Sequence, residues 1–211
     1  MKTMTVKITF KKPLLGSLPS DETAFQDFIA VKAPVPTEDE LEAIKNAPIM
    51  ATDTECVAES PRGVTIFPKT EDGKPFLYDY QLKGFLKAAC SALRRIPAAE
   101  DAGNKATLKI KAFKKIIDTL IFIEQREIAL DFDGEIELKS RSLRAQTAQG
   151  ERISIATSEM LPAGTTATFT IQCLDGSLMD AVREWLDYGR FNGIGCWRNS
   201  GMGQFTWEEI A

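Results

Sequence analysis

Histidine is absent from all 211 residues. That gap excludes Ser-His-Asp and Cys-His nucleophilic arrangements, in which an imidazole carries the proton, and with them two-histidine phosphodiesterase sites. Catalysis here would have to use carboxylates, lysine, tyrosine or a metal held by oxygen ligands, and no catalytic residue is assigned. Cysteine is scarce. Cys56, Cys90, Cys173 and Cys196 lie far apart without a C-x-x-C pair, so a structural zinc site has few ligands to draw on. They read as reduced, mostly buried thiols, and neither a metal nor a cofactor is expected. Long apolar runs are missing as well. No stretch approaches the roughly 18 residues that cross a bilayer, and the first residues lack the charged-then-apolar pattern of a secretory signal. A cytoplasmic protein with no membrane partner is predicted.

An excess of positive charge is also lacking. Lys and Arg number 26 against 30 Asp and Glu, a net charge of −4, with a pI near 5.1. This argues against a general nucleic-acid coat, which is normally basic. The charge is uneven, however. Acidic residues crowd the first sixty positions, whereas basic ones outnumber them from Lys83 to Arg144. An acidic protein with one basic face fits this distribution. The apolar fraction of 44% and charged fraction of 27% are those of an ordinary globule.

What the chain does contain is regular periodicity. Met4, Val6, Ile8 and Phe10 alternate with polar residues, which predicts a half-buried strand, broken at Lys12-Pro13. Short helices are predicted over 21–31 and 37–46, the second with Thr37 and Glu40 in capping-box spacing. Residues 47–76 read as an irregular insertion carrying a hairpin, with arms at 63–68 and 76–78 around Glu71-Asp72-Gly73. Leu82, Phe85, Leu86, Ala89 and Leu93 form the apolar stripe of a helix over 80–95, and a second helical pattern runs over 107–120. Strands at 127–132 and 135–138 are joined through the hairpin signal Asp133-Gly134. Two more strands, 152–157 and 165–174, flank the turn Pro162-Ala163-Gly164. A helix over 178–189 and a terminal strand with Phe205 and Trp207 complete the order. This is an α+β plan with helices against an antiparallel sheet. A ferredoxin-like core in a single domain, 1–211, with an insertion at about 13–76, is expected.

The stretch Gly193-Ile194-Gly195-Cys196-Trp197-Arg198-Asn199-Ser200-Gly201-Met202-Gly203-Gln204-Phe205 carries two G-x-G pairs. Glycine lets backbone approach a ligand closely, and a loop of free amides suits phosphates. It is not the dinucleotide fingerprint, which opens a helix after an early strand. Two readings stay open. The glycines permit a tight helix-to-strand crossing over Trp197, or the loop docks a sugar-phosphate backbone, with Arg198 pairing a phosphate bidentately and Trp197 stacking on a base. Asn199 and Ser200 add polar groups that core packing does not require.

On the helix from Tyr80, Lys83, Lys87 and Arg94 lie within about 40° of one another at 100° per residue. They form either a phosphate-contacting strip or a solvated face with stems packed on the core. Lys105, Lys109, Lys111, Lys114 and Lys115 read as a solvated basic face. Arg141, Arg144 and Arg152 flank a polar segment at 145–150 that is either a recognition loop or a plain connection. Asp131, Asp133, Glu135 and Glu137 read as a solvated strand face in preference to a divalent-metal site.

Three stretches resemble the RAMP superfamily, the RNA-binding proteins of CRISPR effector complexes and their repeat-processing relatives. Tyr80-Gln81-Leu82-Lys83-Gly84-Phe85-Leu86-Lys87 is similar to the family's S-x-L-K-G-x-x-R segment. Glu159 to Phe169 is similar to its E-x-apolar-P-x-G lead into a later core strand, and Gly193 to Phe205 to its glycine-rich loop. The matches fall in the family's order and cover about residues 77–95 and 150–211. The resemblance implies an RRM-like, ferredoxin-like RAMP core, nearer to the backbone subunits that cradle guide RNA than to the processing nucleases, several of which use an early histidine. Backbone subunits that cut RNA use an aspartate in a loop near the start. Asp21 and Asp53 stand in no matching context, so no catalytic role is carried over.

The expected function is therefore non-catalytic binding of RNA or an oligonucleotide by a CRISPR-related or phage-encoded protein acting on antiviral defence. The expected site comprises Lys83, Gly84, Lys87, Arg94, Gly193, Gly195, Trp197, Arg198, Asn199, Ser200, Gly201 and Gly203. CRISPR effector subunits are expected partners, and homo-oligomerisation stays open. The alternatives are sequestration of a nucleotide or cyclic oligonucleotide messenger, an interaction protein with a purely structural loop, and a metal-dependent RNase using acidic residues.

Overall fold

The computed structural model describes residues 1–20, 64–97, 105–147 and 150–210. In chain order the elements are β1 (Lys2–Phe10), β2 (Leu14–Leu15), β3 (Leu18–Pro19), β4 (Val64–Ile66), β5 (Phe76–Tyr78), α1 (Asp79–Leu93), α2 (Lys105–Leu108), α3 (Phe113–Leu120), β6 (Ile121–Ile123), β7 (Glu127–Asp131), β8 (Glu137–Thr147), β9 (Gly150–Leu161), β10 (Thr166–Cys173), α4 (Met179–Asp187) and β11 (Phe205–Ile210). The helices predicted over 21–31 and 37–46 lie outside the described residues, as do Asp21, Asp53 and Cys56.

The protein is α+β. Its larger sheet has the order β11-β1-β10-β7-β5, with β6 also paired to β10, and its pairings are antiparallel. The alternation of β1 is realised fully: Met4, Val6, Ile8 and Phe10 are buried while the residues between them are not. Because side chains alternate faces along a strand, these four point into one core with Phe169 and Ile171 of β10 and Phe205 of β11. Helix α1 lays Leu82, Phe85, Leu86, Ala89, Cys90 and Leu93 against the same core. Helix α4 adds Met179, Ala181, Val182, Trp185 and Leu186.

A second sheet is built on β9. Strand β8 pairs with β9 from Glu137↔Met160 to Thr147↔Gly150, while β2 and β4 also pair with β9, antiparallel and parallel respectively. Strand β3 extends the sheet beyond β4. The segment 145–150, open in sequence between recognition loop and connection, therefore belongs largely to the arms of a long hairpin.

Three local expectations are corrected. The pattern over 107–120 is two helices, because Ala112 takes a left-handed conformation (φ 43°, ψ 41°) between them. The Glu184 carboxylate accepts from the Ala106 and Thr107 amides, both at 2.8 Å, and from Thr107 Oγ1 at 2.6 Å. Trp185 Nε1 also donates to Thr107 Oγ1 at 2.9 Å. This tether holds α2 on α4, and nothing in a helical period encodes it. The turn at Thr70–Lys74 does form, with Gly73 N donating to Thr70 O at 2.8 Å and Phe76 N to Pro68 O at 3.0 Å, and Lys69 bridges Pro75. Beyond that short pairing the arms diverge, β4 joining the second sheet and β5 pairing with β7. Likewise Gly134 turns the chain (φ 102°), yet β7 stays in the larger sheet and β8 leaves for β9. Turn chemistry specifies a reversal and not the partner of each arm.

Cys90 and Cys173 are fully buried, and burial, the largest cause, pushes each thiol up to about 11 from an ordinary 9.0. The folded values exceed the unfolded one, so this contribution to stability is complete below pH 9 and lost as pH rises through 11. Denaturation midpoints are expected to fall over that interval, and a Cys90→Ala, Cys173→Ala variant should show a shallower fall.

Candidate nucleic-acid interface

The glycine-rich loop runs from α4 to β11, and its course is fixed by backbone packed on backbone. A Cβ on Gly193 would stand 2.0 Å from the carbonyl carbon and oxygen of Gly203, and one on Gly203, already at φ 69°, would stand 1.9 Å from Ile194 O. Ile194 N donates to Gly203 O (3.1 Å) and Gly203 N to Pro13 O (2.9 Å). The base of the loop is thus a closed, bonded neck seated beside β2.

Above the neck the loop is open. Trp197 is left-handed (φ 57°, ψ 36°) and begins a single 3-10 turn over Arg198–Ser200. Ser200 N and Gly201 N donate to Trp197 O and Arg198 O at 3.0 and 2.9 Å. Among the described residues nothing accepts from the amides of Cys196, Trp197, Arg198 or Asn199. Residues 197–200 are all exposed. Successive unbonded amides around a left-handed residue make a concavity suited to anions.

The loop faces the start of α1. A groove of about 340 Å³ lies between Tyr80, Gln81, Gly84, Phe85 and Ala88 on one wall and Ile194, Gly195 and Arg198 on the other, with Ser17 at one end. Gln81 fixes the helical wall, since its Oε1 accepts from Tyr78 N at 2.9 Å and its Nε2 donates to Ser17 Oγ at 2.7 Å. Gly84 leaves the wall bare, because a Cβ there would meet nothing within 4 Å. The Tyr80 hydroxyl is pushed up to about 12, chiefly by burial and then by Tyr78, so it stays protonated at neutral pH. Tyr80 stacks on Tyr78 with ring centroids 5.2 Å apart, and Arg126 lies over both rings. Arg198 makes no ion pair with the described residues.

Gly84, Gly195 and Arg198, distant in sequence, therefore share one groove, and Trp197, Asn199, Ser200 and Gly201 share the loop that forms its rim. Lys83, Lys87 and Arg94 do not line it. Lys83 Nζ lies 4.7 Å over the Phe122 ring, Lys87 pairs with Asp118 at 2.5 Å, and Arg94 lies 5.4 Å over Phe113. The basic strip turns toward α3 and β6, about a quarter-turn around α1 from Gly84 at 100° per residue.

Sequence reasoning did not assign Ser17, Tyr80, Gln81 or Arg141 to the site. Gln81 had a signal, its side chain lying three residues after the N-cap. Arg141 had only its place beside the polar segment 145–150, with nothing to link it to the loop; it arrives from β8 and sets its guanidinium 5.4 Å over the Trp197 ring. Asp131, Asp133, Glu135 and Glu137 are all exposed, and no metal-holding cluster is found among the described residues. No helix among them is long and apolar enough to cross a membrane.

No protein-family model matches this chain, and no curated protein matches it. Among solved structures, one similar chain belongs to the Type III-B Cmr-beta complex bound to cognate target RNA. It is 11% identical with a TM-score of 0.47, covering 100% of this chain and 60% of that one. A chain of a Type IV-B CRISPR complex is 11% identical with a TM-score of 0.48, covering 100% of this chain and 91% of that one. The chain thus spans 60% of the length of the first. Likenesses at this level carry no argument, so the functional reading rests on the residues.

Proposed function

We propose that the protein is a non-catalytic binder of single-stranded RNA with a RAMP-type, ferredoxin-like core. The strand order β11-β1-β10-β7, with α1 between β1 and β7 and α4 between β10 and β11, supports the core. The observation that carries the function is the shared groove: unbonded loop amides and an unpaired Arg198 face the first turns of α1 across a bare Gly84. Amides and the positive end of a helix favour anions, Arg198 supplies a planar fork for a phosphate, and exposed Trp197 offers a face on which a base stacks. The chain's role in CRISPR-linked or phage counter-defence, and its assembly with effector subunits, belong to the same proposal.

The groove's volume also falls within the range of small-ligand sites, which favours sequestration of a nucleotide as the second reading. Electrophoretic shift of labelled single-stranded RNA across a salt series separates the two. Wild type is expected to bind with affinity falling steeply with salt, and Arg198→Ala to weaken binding across all sequences while lowering the log–log salt slope by about 1. An Arg198→Ala variant with unchanged affinity and slope would remove this groove from the account. RNA binding absent at low salt, with nucleotide-dependent thermal stabilisation present, would transfer the function to the second reading.

A further inference from the structure

The remaining feature of the loop is the state of Arg141. Its guanidinium covers one face of Trp197, its Nη1 donates to Ser158 Oγ at 3.2 Å, and it lies against the Cys196 thiol, which also feels Arg198. Ser158 is itself buried and hydrogen-bonded to Thr65 Oγ1 at 2.7 Å, so the contact is anchored in the second sheet. Yet Arg141 Nε is buried without a partner, and no carboxylate pairs with the side chain among the described residues. A guanidinium carries five donors and is costly to withdraw from water without an acceptor. This one is held in place over Trp197 with its Nε donor unmet, beside a Cys196 that also feels Arg198. One guanidinium with an unmet donor over the indole, and a second without an ion pair among the described residues beside a run of unbonded amides, are a poor design for a ligand with one anionic group.

We propose that Arg141 forms a second phosphate subsite, so that the minimal ligand is a strand segment with two phosphates, one held at Arg198 and the other at Arg141, with a base against Trp197 between them. This deepens the RNA-binding reading and rests on it. On this arrangement the hairpin β8–β9 contributes to recognition through Arg141, which pairs with Ala156 within the ladder, and a mononucleotide fills only half of the site. Arg141 must then exchange part of its contact with the indole for the base and take the phosphate as the acceptor its Nε lacks.

The test compares AMP with 5′-phosphorylated diadenylate, pApA, by calorimetry, on wild type, Arg141→Ala, Arg141→Lys and Arg198→Ala. Wild type is expected to bind pApA at least about tenfold more tightly than AMP, the gain of one charge-assisted contact. Arg141→Ala should remove that advantage while leaving AMP binding within about twofold, and Arg141→Lys, which keeps the charge without the fork, should restore part of it. Arg198→Ala should weaken both ligands. Retained AMP affinity in Arg141→Ala also shows that the loop is intact. Wild type binding pApA no better than AMP overturns the two-phosphate inference, and leaves the RNA reading to its own salt series. Arg141→Ala weakening AMP and pApA equally, or neither, also overturns it, because Arg141 would then be a support for the loop or a bystander.

Discussion

Gly203→Ala is expected to destabilise the protein by roughly 2–5 kcal/mol, the sum of left-handed strain and forced overpacking. The methyl group would be placed 1.9 Å from Ile194 O, inside the neck that carries the Ile194 N to Gly203 O bond. Neither chain segment has room to yield, because Gly193 already lies against the Gly203 carbonyl and Gly203 N is bound to Pro13 O. Gly201→Ala makes the control. It shares a positive φ of 81° but meets only the end of the Gln204 side chain, at 3.6 Å, so it pays the conformational cost alone, about 1–2 kcal/mol. Denaturant titration of the two variants separates close approach from backbone preference. Equal losses would mean that the neck is not packed as described. RNA binding should fail in Gly203→Ala with the neck and survive in Gly201→Ala.

The second large effect has the opposite signature. Gly84→Glu should leave stability unchanged or raise it by about 0.5–1 kcal/mol, because glycine is the poorer residue within a helix. A new side chain at this position projects into open space. That space is the groove beside Arg198, where a carboxylate both fills the volume and repels phosphate. RNA affinity is expected to fall on the order of a hundredfold, near 2.7 kcal/mol. Gly84→Leu, filling without charge, should give part of that loss, and Gly84→Ala little. Full affinity in Gly84→Glu would place the ligand elsewhere. Mutating a neighbour to gain stability while losing binding is the outcome that a purely structural loop does not produce.

How far these features were legible follows from the kind of information each needs. The alternation of Met4 to Phe10 and the apolar stripe of α1 are local, so β1 and α1 emerge from period alone. The glycine-rich loop was visible by composition, but not which of its glycines pack backbone on backbone, as Gly193 and Gly203 do. Its meeting with Gly84 was carried by resemblance, not by spacing. What failed was partnership. A helical wheel places Lys83, Lys87 and Arg94 on one strip but does not say that Phe122, Asp118 and Phe113 stand opposite. The tether of α2 to α4 depends on a carboxylate at Glu184, and where the arms of the two predicted hairpins end depends on which sheet claims each arm. Arg141 reaches Trp197 only because β8 takes its register from β9, and no window of sequence contains both.

The most direct test is amide hydrogen exchange with and without single-stranded RNA. The amides of Cys196 to Asn199 are exposed or unbonded and should exchange rapidly in the free protein. RNA is expected to slow exchange at these positions and in the first turns of α1, with the Gly193–Gly203 neck unchanged. Protection confined to the face formed by Lys87, Asp118 and α3, with Cys196 to Asn199 exchanging as before, would contradict the claim that the loop amides cradle the strand.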